Sequence, residues 1–432
     1  MSPDRRVADG DKQIKRGSRV LAIRARRVFD GVRPIAGGAT ILIDGSKVAG
    51  VTAFEAELPE GCEQITFPDC TVLPGLFDMH VHLGGDGHLG ALDRLAQYDD
   101  DELGEVITRA LESQLRAGVT TVRDLGDRRW SVVDRRDRLL NPDGTTPSPT
   151  ILASGPPITC RQGHCWSMGG EATGPEELRR AVDERAERKV DVIKIMASGG
   201  ASTPGTDMLD CQFKLEEMRA VVERAHKAGL PVTSPSHGLP AVQRSVEAGV
   251  DGIEHCSCMT DSGITVPEGL LDAFVDKGIV ICPTPGAVPG FVPPPHIQAI
   301  LDRTGTTREA RVAAVGKMHR RGVRIVCGVD AGVGDSKPHG IVALAMADLV
   351  EAGFTNSEAI ASATSIAADT CGLGRSKGRL KPGYDADVLV VSGDPLEEIT
   401  DLTRVEAVFV AGRRVSPPVG PPAGPVSNLT AG

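Results

Sequence analysis

Five times between residues 101 and 329, a helix-like segment runs into a glycine and is followed at once by a short apolar run. The pairs are Asp101–Ala117 with Thr120–Asp124, Lys214–Lys227 with Pro231–Ser236, Pro240–Ala248 with Gly252–His255, Val266–Lys277 with Ile279–Cys282, and Thr307–Arg321 with Arg324–Val329. The glycines are Gly118, Gly229, Gly249, Gly278 and Gly322. Glycine closes a helix because it enters the left-handed region without a Cβ penalty. Alternating helix and apolar strand implies parallel pairing with helices covering the sheet. Three further runs, one beginning at Thr71, then Ile151–Ser154 and Val192–Met196, bring the strand count to eight. Helices at Pro175–Arg188, Ile341–Ala352 and Ser357–Cys371 complete the series. The fold class read from this pattern is α/β, a closed (β/α)8 TIM-like barrel over residues 71–377, with seven strands in an open sheet as the competing count.

The flanks have a different texture. Val20–Ala25, Ala39–Ile43, Lys47–Thr52 and Glu63–Phe67 are short strand-like runs separated by turn signals such as Asp44-Gly45. After Gly378 the same texture returns in Asp387–Val391 and Val405–Ala411, around the turn Gly393-Asp394-Pro395. Residues 18–70 and 378–416 are therefore expected to complete one small β-sandwich domain beside the barrel. Residues 1–17 read as a disordered basic leader and the Pro/Gly-rich 417–432 as a flexible tail.

Composition narrows the partners. A net charge of −10 with only 3% aromatic residues argues against nucleic acid. No apolar run approaches the ~18 residues that cross a bilayer, and Met1–Ser18 lacks the apolar stretch of a signal peptide. The expectation is a cytoplasmic protein, without membrane or nucleic-acid partners, acting on a small molecule. Ten cysteines scattered through the chain read as reduced thiols, and the Cys256-x-Cys258 pair has no second pair nearby to complete a zinc knot.

Chemistry in a parallel barrel sits at the C-terminal ends of the strands. The apolar run from Thr71 to Leu76 reads as a buried strand that delivers His80 and His82 at its end, on one side because strand side chains alternate. Alone, a His-x-His is better explained by a half-buried strand whose imidazoles are satisfied by backbone carbonyls. The other strand ends, however, supply Lys194, His237, His255 and Asp330. These are metal-competent groups, and packing does not explain all six. Lys194 lies inside the apolar run Asp191-Val192-Ile193-Lys194-Ile195-Met196, where an unpaired ammonium is costly. It either pairs with a carboxylate, snorkels to the rim, or stays neutral and adds carbon dioxide.

The chain resembles the metal-dependent amidohydrolase superfamily, in its prolidase-like and imidazolonepropionase-like branch. The resemblance is carried by Leu73-Pro74-Gly75-Leu76-Phe77-Asp78-Met79-His80-Val81-His82, Thr120-Thr121-Val122-Arg123-Asp124-Leu125-Gly126, Ile193-Lys194-Ile195-Met196-Ala197-Ser198-Gly199-Gly200, Gly252-Ile253-Glu254-His255, Gly328-Val329-Asp330-Ala331-Gly332 and Gly383-Tyr384-Asp385-Ala386-Asp387-Val388-Leu389-Val390. It implies two divalent metal ions, one held by His80, His82 and Asp330, the other by His237 and His255. Between them it implies a hydroxide and a carbamate formed by carbon dioxide on Lys194. Zinc suits these ligands, and manganese, cobalt and iron also accept them. Asp330 is the expected proton acceptor and donor during amide hydrolysis. Relatives of this kind often carry His-x-His-Gly at the fifth strand; here Ser234-Pro235-Ser236-His237-Gly238 puts Pro235 at the first of those positions. His164 and Arg161, in the loop after the third strand, are candidate substrate contacts, Arg161 for a carboxylate. The resemblance also implies assembly of identical subunits. The substrate expected is an amide of the Xaa-Pro dipeptide or N-acyl amino acid type. A cyclic amide or amidine substrate (deamination included) and a non-catalytic scaffold are the alternatives.

Overall fold

The computed structural model describes residues 20–140 and 147–415; the expected leader and tail lie outside the described residues. Leu76–Val81, Val119–Asp124 and Thr150–Ala153 pair in parallel in that order. Ile193–Lys194, Val232–Pro235, Gly252–Glu254 and Val280–Cys282 form a second parallel sheet. Single contacts join the two. The Asp191 N–H donates to the Ala153 carbonyl at 2.9 Å, and Ile158 bridges Ile195. On the far side Ile281 bridges Ile325, while the His82 N–H donates to the Ala331 carbonyl at 2.8 Å. The chain is thus α/β, with one large core between these strands and the helices around them.

Helices Asp100–Arg116, Gly174–Glu187, Leu215–Lys227, Leu239–Ala248, Glu268–Lys277, Arg308–Arg320 and Val342–Glu351 stand within two residues of their expected ends. For five of the seven the reason is a glycine stop: Gly118, Gly229, Gly249, Gly278 and Gly322 all have positive φ, from 66° to 87°. The expected helix Ser357–Cys371 is two, Asn356–Ser362 and Ser365–Thr370. The Phe77 N–H takes the Ala363 carbonyl at 2.7 Å, and Thr364 adopts φ −135°, ψ −95°, which interrupts the ladder. Ser131–Leu140 and Pro295–Thr304 are helices that the sequence pattern did not announce.

The run beginning at Thr71 is also divided. Glu63–Pro74 belongs to a different sheet, and the strand that carries His80 starts at Leu76. Pro74-Gly75 makes the change of sheet. The Gly75 N–H donates to the Asp387 carbonyl at 2.9 Å, and a Cβ on Gly75 would come within 2.2 Å of Thr120 Oγ1. Gly75→Ala is therefore expected to destabilise the fold by about 1–3 kcal/mol. The check is the denaturation midpoint; an unchanged midpoint would show that Thr120 can move aside.

Both chain ends contribute to the remaining sheet. Its order is Arg413–Arg414, Val405–Val410, Val388–Ser392, Glu63–Pro74, Val20–Val28, Ala39–Asp44, Lys47–Ala53. All seven strands are joined in one hydrogen-bonded ladder. Irregularities between Ala25 and Arg27, Leu42 and Ile43, and Val390 and Val391 bend it. It curls until the Val48 N–H reaches the Tyr384 carbonyl at 2.9 Å, enclosing Ile23, Ile41, Val72, Val390 and Phe409. No helix among the described residues is long and apolar enough to cross a membrane.

Candidate active site

His80 lies within its strand and His82 just past it, both buried. Their Nε2 atoms each stand 3.4 Å from Asp330 Oδ1. Lys194 Nζ is 3.4 Å from His80 Nε2 and 3.5 Å from His82 Nε2. Asp330 has φ 67°, and its N–H donates to the His80 carbonyl at 2.8 Å, which fixes the carboxylate beside the two rings. His237 and His255 stack at 4.4 Å between centroids with an interplanar angle of 15°. His255 in turn is 5.3 Å from the His80 ring, so all six side chains form one cluster.

Each imidazole is held by its Nδ1. His80 Nδ1 is 2.9 Å from Glu254 Oε2, and His82 Nδ1 is 3.0 Å from the Gly126 carbonyl. A carbonyl and an ionised carboxylate only accept, so both rings carry their proton on Nδ1 and present Nε2 as a lone pair. His237 Nδ1 meets Ser257 Oγ at 3.1 Å and His255 Nδ1 meets Thr284 Oγ1 at 2.8 Å. Burial alone would raise the Glu254 pKa; Arg123, His80 and Thr233 outweigh it and hold that carboxyl at about 2. Burial, reinforced by the Lys194 charge, drives His82 down to about 3. The same desolvation lowers Lys194 below its ordinary value. Neutral nitrogen donors with oriented lone pairs, beside a carboxylate, are what a divalent cation requires. The donor set fits the implied metal.

The sequence profile of the amidohydrolase family matches residues 71–415. The chain belongs to the amidohydrolase family. This amidohydrolase is 28% identical to ochratoxinase of Aspergillus niger over 412 residues, covering 87% of this chain and 81% of that one. It is 25% identical to an imidazolonepropionase of Salinispora tropica over 385 residues, 82% of this chain and 85% of the relative. A solved Xaa-Pro dipeptidase with bound methionine superposes with a TM-score of 0.78 at 27% identity, over 91% of this chain and 99% of that one. These likenesses place the amidohydrolase in the prolidase-like and imidazolonepropionase-like branch, and it is an enzyme that hydrolyses carbon–nitrogen bonds.

The remaining sequence candidates fare differently. His164 of the amidohydrolase is half-buried, with Nδ1 2.8 Å from Thr203 Oγ1. Burial, then the charges of His237 and Lys194, lower its pKa to about 3, so it stands within electrostatic reach of the cluster. Arg161 is exposed and makes no hydrogen bond to the cluster among the described residues. Nearby, His339 Nε2 donates to the Gly85 carbonyl at 2.9 Å.

Sequence reasoning missed the supports of the cluster. Glu254 Oε1 accepts from Arg123 Nη2 at 2.8 Å and from Thr233 Oγ1 at 2.6 Å, and Arg123 Nε donates to the Met79 carbonyl at 2.8 Å. A signal existed: Glu254 and Arg123 are charges inside apolar strands, the anomaly that singled out Lys194. Ser257 and Thr284 gave none, because hydroxyls are common in loops.

Proposed function

We propose that this amidohydrolase is a binuclear metal-dependent hydrolase of small-molecule amides, of the N-acyl amino acid or dipeptide type. The observation that carries the reading is the convergence of His80, His82, His237, His255, Asp330 and Lys194 with imidazole lone pairs presented inward. On this reading His80, His82 and Asp330 hold one ion, His237 and His255 the second, and a carboxylated Lys194 lies between them. Divalent ions held there, zinc by preference for imidazole and carboxylate donors, would supply a Lewis acid for the scissile carbonyl and would lower the pKa of a water toward neutrality. Asp330 accepts the proton of the attacking water and returns it to the leaving nitrogen. Glu254 keeps His80 in the tautomer that binds, and His164 contacts the substrate from the loop.

The same reading closes the two parallel sheets into a (β/α)8 barrel over 71–377, using the Ile158–Ile195, Ile281–Ile325 and Val81–Ala331 bridges. Residues 18–70 and 378–416 make the accompanying domain. Ten free thiols accord with a cytoplasmic location. Assembly of identical subunits belongs to the reading as well.

Substrate type is supported by a cavity of about 90 Å3 that includes His237 and His255 in its wall. Arg311, Ala314, Val315 and Met318 line it from one face of the helix Arg308–Arg320, at helical spacing. Met208 and Leu301 add further apolar surface. The Arg311 guanidinium has no hydrogen-bond or ion-pair partner among the described residues, and its charge adds to the burial that lowers the His237 pKa. An apolar pocket with one unspent cation suits an apolar side chain next to a carboxylate. Arg311 therefore joins Arg161 as a proposed carboxylate contact, and the pocket favours amino acid amides over cyclic amides.

The test is a screen of purified, metal-loaded protein against dipeptides, N-acyl amino acids and cyclic amides, with products read by mass. Turnover of carboxylate-bearing amides is expected, and Arg311→Met should raise their KM by about tenfold or more. Neutral amides should be indifferent to that substitution. Exclusive turnover of cyclic amides would favour the imidazolonepropionase-like alternative. Absence of bound metal by elemental analysis would favour the scaffold.

A further inference from the structure

A larger cavity, of about 550 Å3, lies at the other ends of the parallel strands. Its wall includes the residues that begin or precede those strands, among them Val192, Pro231, Asp251 and Val280. Arg123 and Glu254 form its inner boundary. The interior of an eight-stranded parallel barrel is ordinarily filled by layers of side chains. Here the layer toward the strand starts includes Gly252 and Thr233, which are too small to fill it. The volume falls in the range of small-molecule sites.

Hydrogen-bond donors in this cavity are in surplus. Arg123 spends Nε on the Met79 carbonyl and Nη2 on Glu254, and Nη1 has no partner among the described residues. Arg324, also in the wall, has no side-chain partner among the described residues. The carboxylates, by contrast, are already engaged. Asp191 Oδ2 accepts from Arg136 at 2.7 Å, Asp251 Oδ2 lies 2.8 Å from His226 Nε2, and Asp369 Oδ2 accepts from Arg379 at 2.7 Å. Two guanidinium groups with unspent donors, beside three aspartates engaged by groups outside the cavity and a Glu254 that takes only one Arg123 nitrogen, make a receptor for an oxyanion.

We propose that this cavity is a second ligand site, for a small carboxylate or phosphate, in which Arg123 and Arg324 supply the donors. The site is mechanically joined to the catalytic cluster. Arg123 Nη2 is 2.8 Å from Glu254 Oε1, and Glu254 Oε2 is 2.9 Å from His80 Nδ1. An anion that draws on Arg123 weakens its hold on Glu254 and changes how firmly His80 is oriented. By linkage, a metal on His80 changes the affinity for the anion by the same factor.

Isothermal titration of the metal-loaded protein with inorganic phosphate and, separately, with acetate at matched ionic strength tests the site. Saturable binding of at least one anion is expected, and the stronger of the two identifies the phosphate or carboxylate source. Arg324→Met should weaken it at least tenfold while leaving turnover without added anion unchanged. Arg123→Met should weaken it similarly. The zinc affinity of wild type, read by chelator competition, should shift with the anion, and that shift should vanish in Arg324→Met. Binding of equal strength in wild type and Arg324→Met would place the anion at the catalytic cluster and overturn the proposal, as would no binding of either anion.

Discussion

Asp330→Asn is expected to lower kcat by about 10²–10⁴-fold, the usual contribution of a positioned acid–base group, while bound metal falls far less. The substitution isolates proton transfer because it disturbs little else. Asp330 sits at φ 67°, in the left-handed region that asparagine tolerates as readily as aspartate. Its N–H bond to the His80 carbonyl does not involve the side chain, and an amide oxygen can still face the two imidazoles. What disappears is basicity. Burial would raise the Asp330 pKa, but His80, His82 and Lys194 outweigh it, so the carboxylate is ionised and ready at neutral pH. Metal content by elemental analysis and kcat on the best substrate of the screen decide the matter. Near wild-type turnover would remove Asp330 from proton transfer; a parallel loss of metal and activity would make it a ligand first.

The sequence disclosed whatever depends on local chemistry. Glycine stops such as Gly249 and Gly278 gave helix ends because a left-handed C-cap is a property of a few consecutive residues. The proximity of the six polar residues was legible because strand ends in parallel sheets converge on one side. Their roles as ligands are part of the proposal. Features that depend on tertiary approach were hidden. The division of the run after Thr71 turns on Gly75 lying against Thr120, 45 positions away, and nothing in the run itself announces a change of sheet. The curl of the seven-stranded ladder follows from bulges whose partners are distant strands. Ser131–Leu140 carries five charged residues in ten, which blurs the apolar period by which helices are recognised. Arg161 is legible as a candidate by its place in a loop, whereas Arg311 reaches the neighbourhood of His237 from a helix that begins far along the chain, which the sequence does not disclose.

Lys194→Met should separate the stability of the fold from the stability of the metal centre, in opposite directions. Lys194 is 2% exposed, and its Nζ lies against His80 Nε2 and His82 Nε2, which carry no negative charge. Among the described residues it has no ion pair; desolvation lowers its pKa, and the charges of Asp330 and Glu254 offset that only in part. Methionine has similar length, no charge to desolvate, and freedom to fit the gap. The metal-free variant is therefore expected to melt at or above the metal-free wild type. Added metal reverses the order. At about 100 times its Kd a ligand that binds only the folded state contributes about 2.7 kcal/mol, and the wild type should gain this while the variant gains less. Turnover should fall by at least about 100-fold, comparable to the strongest losses on disturbing a metal's supporting groups. Reconstitution of the wild type should also be faster with bicarbonate present, since a carbamate on Nζ needs carbon dioxide and a neutral amine. Equal metal content and equal metal-dependent stabilisation in Lys194→Met would mean that the lysine is not part of the centre, and the two sets of histidines would then have to hold their ions without a bridge.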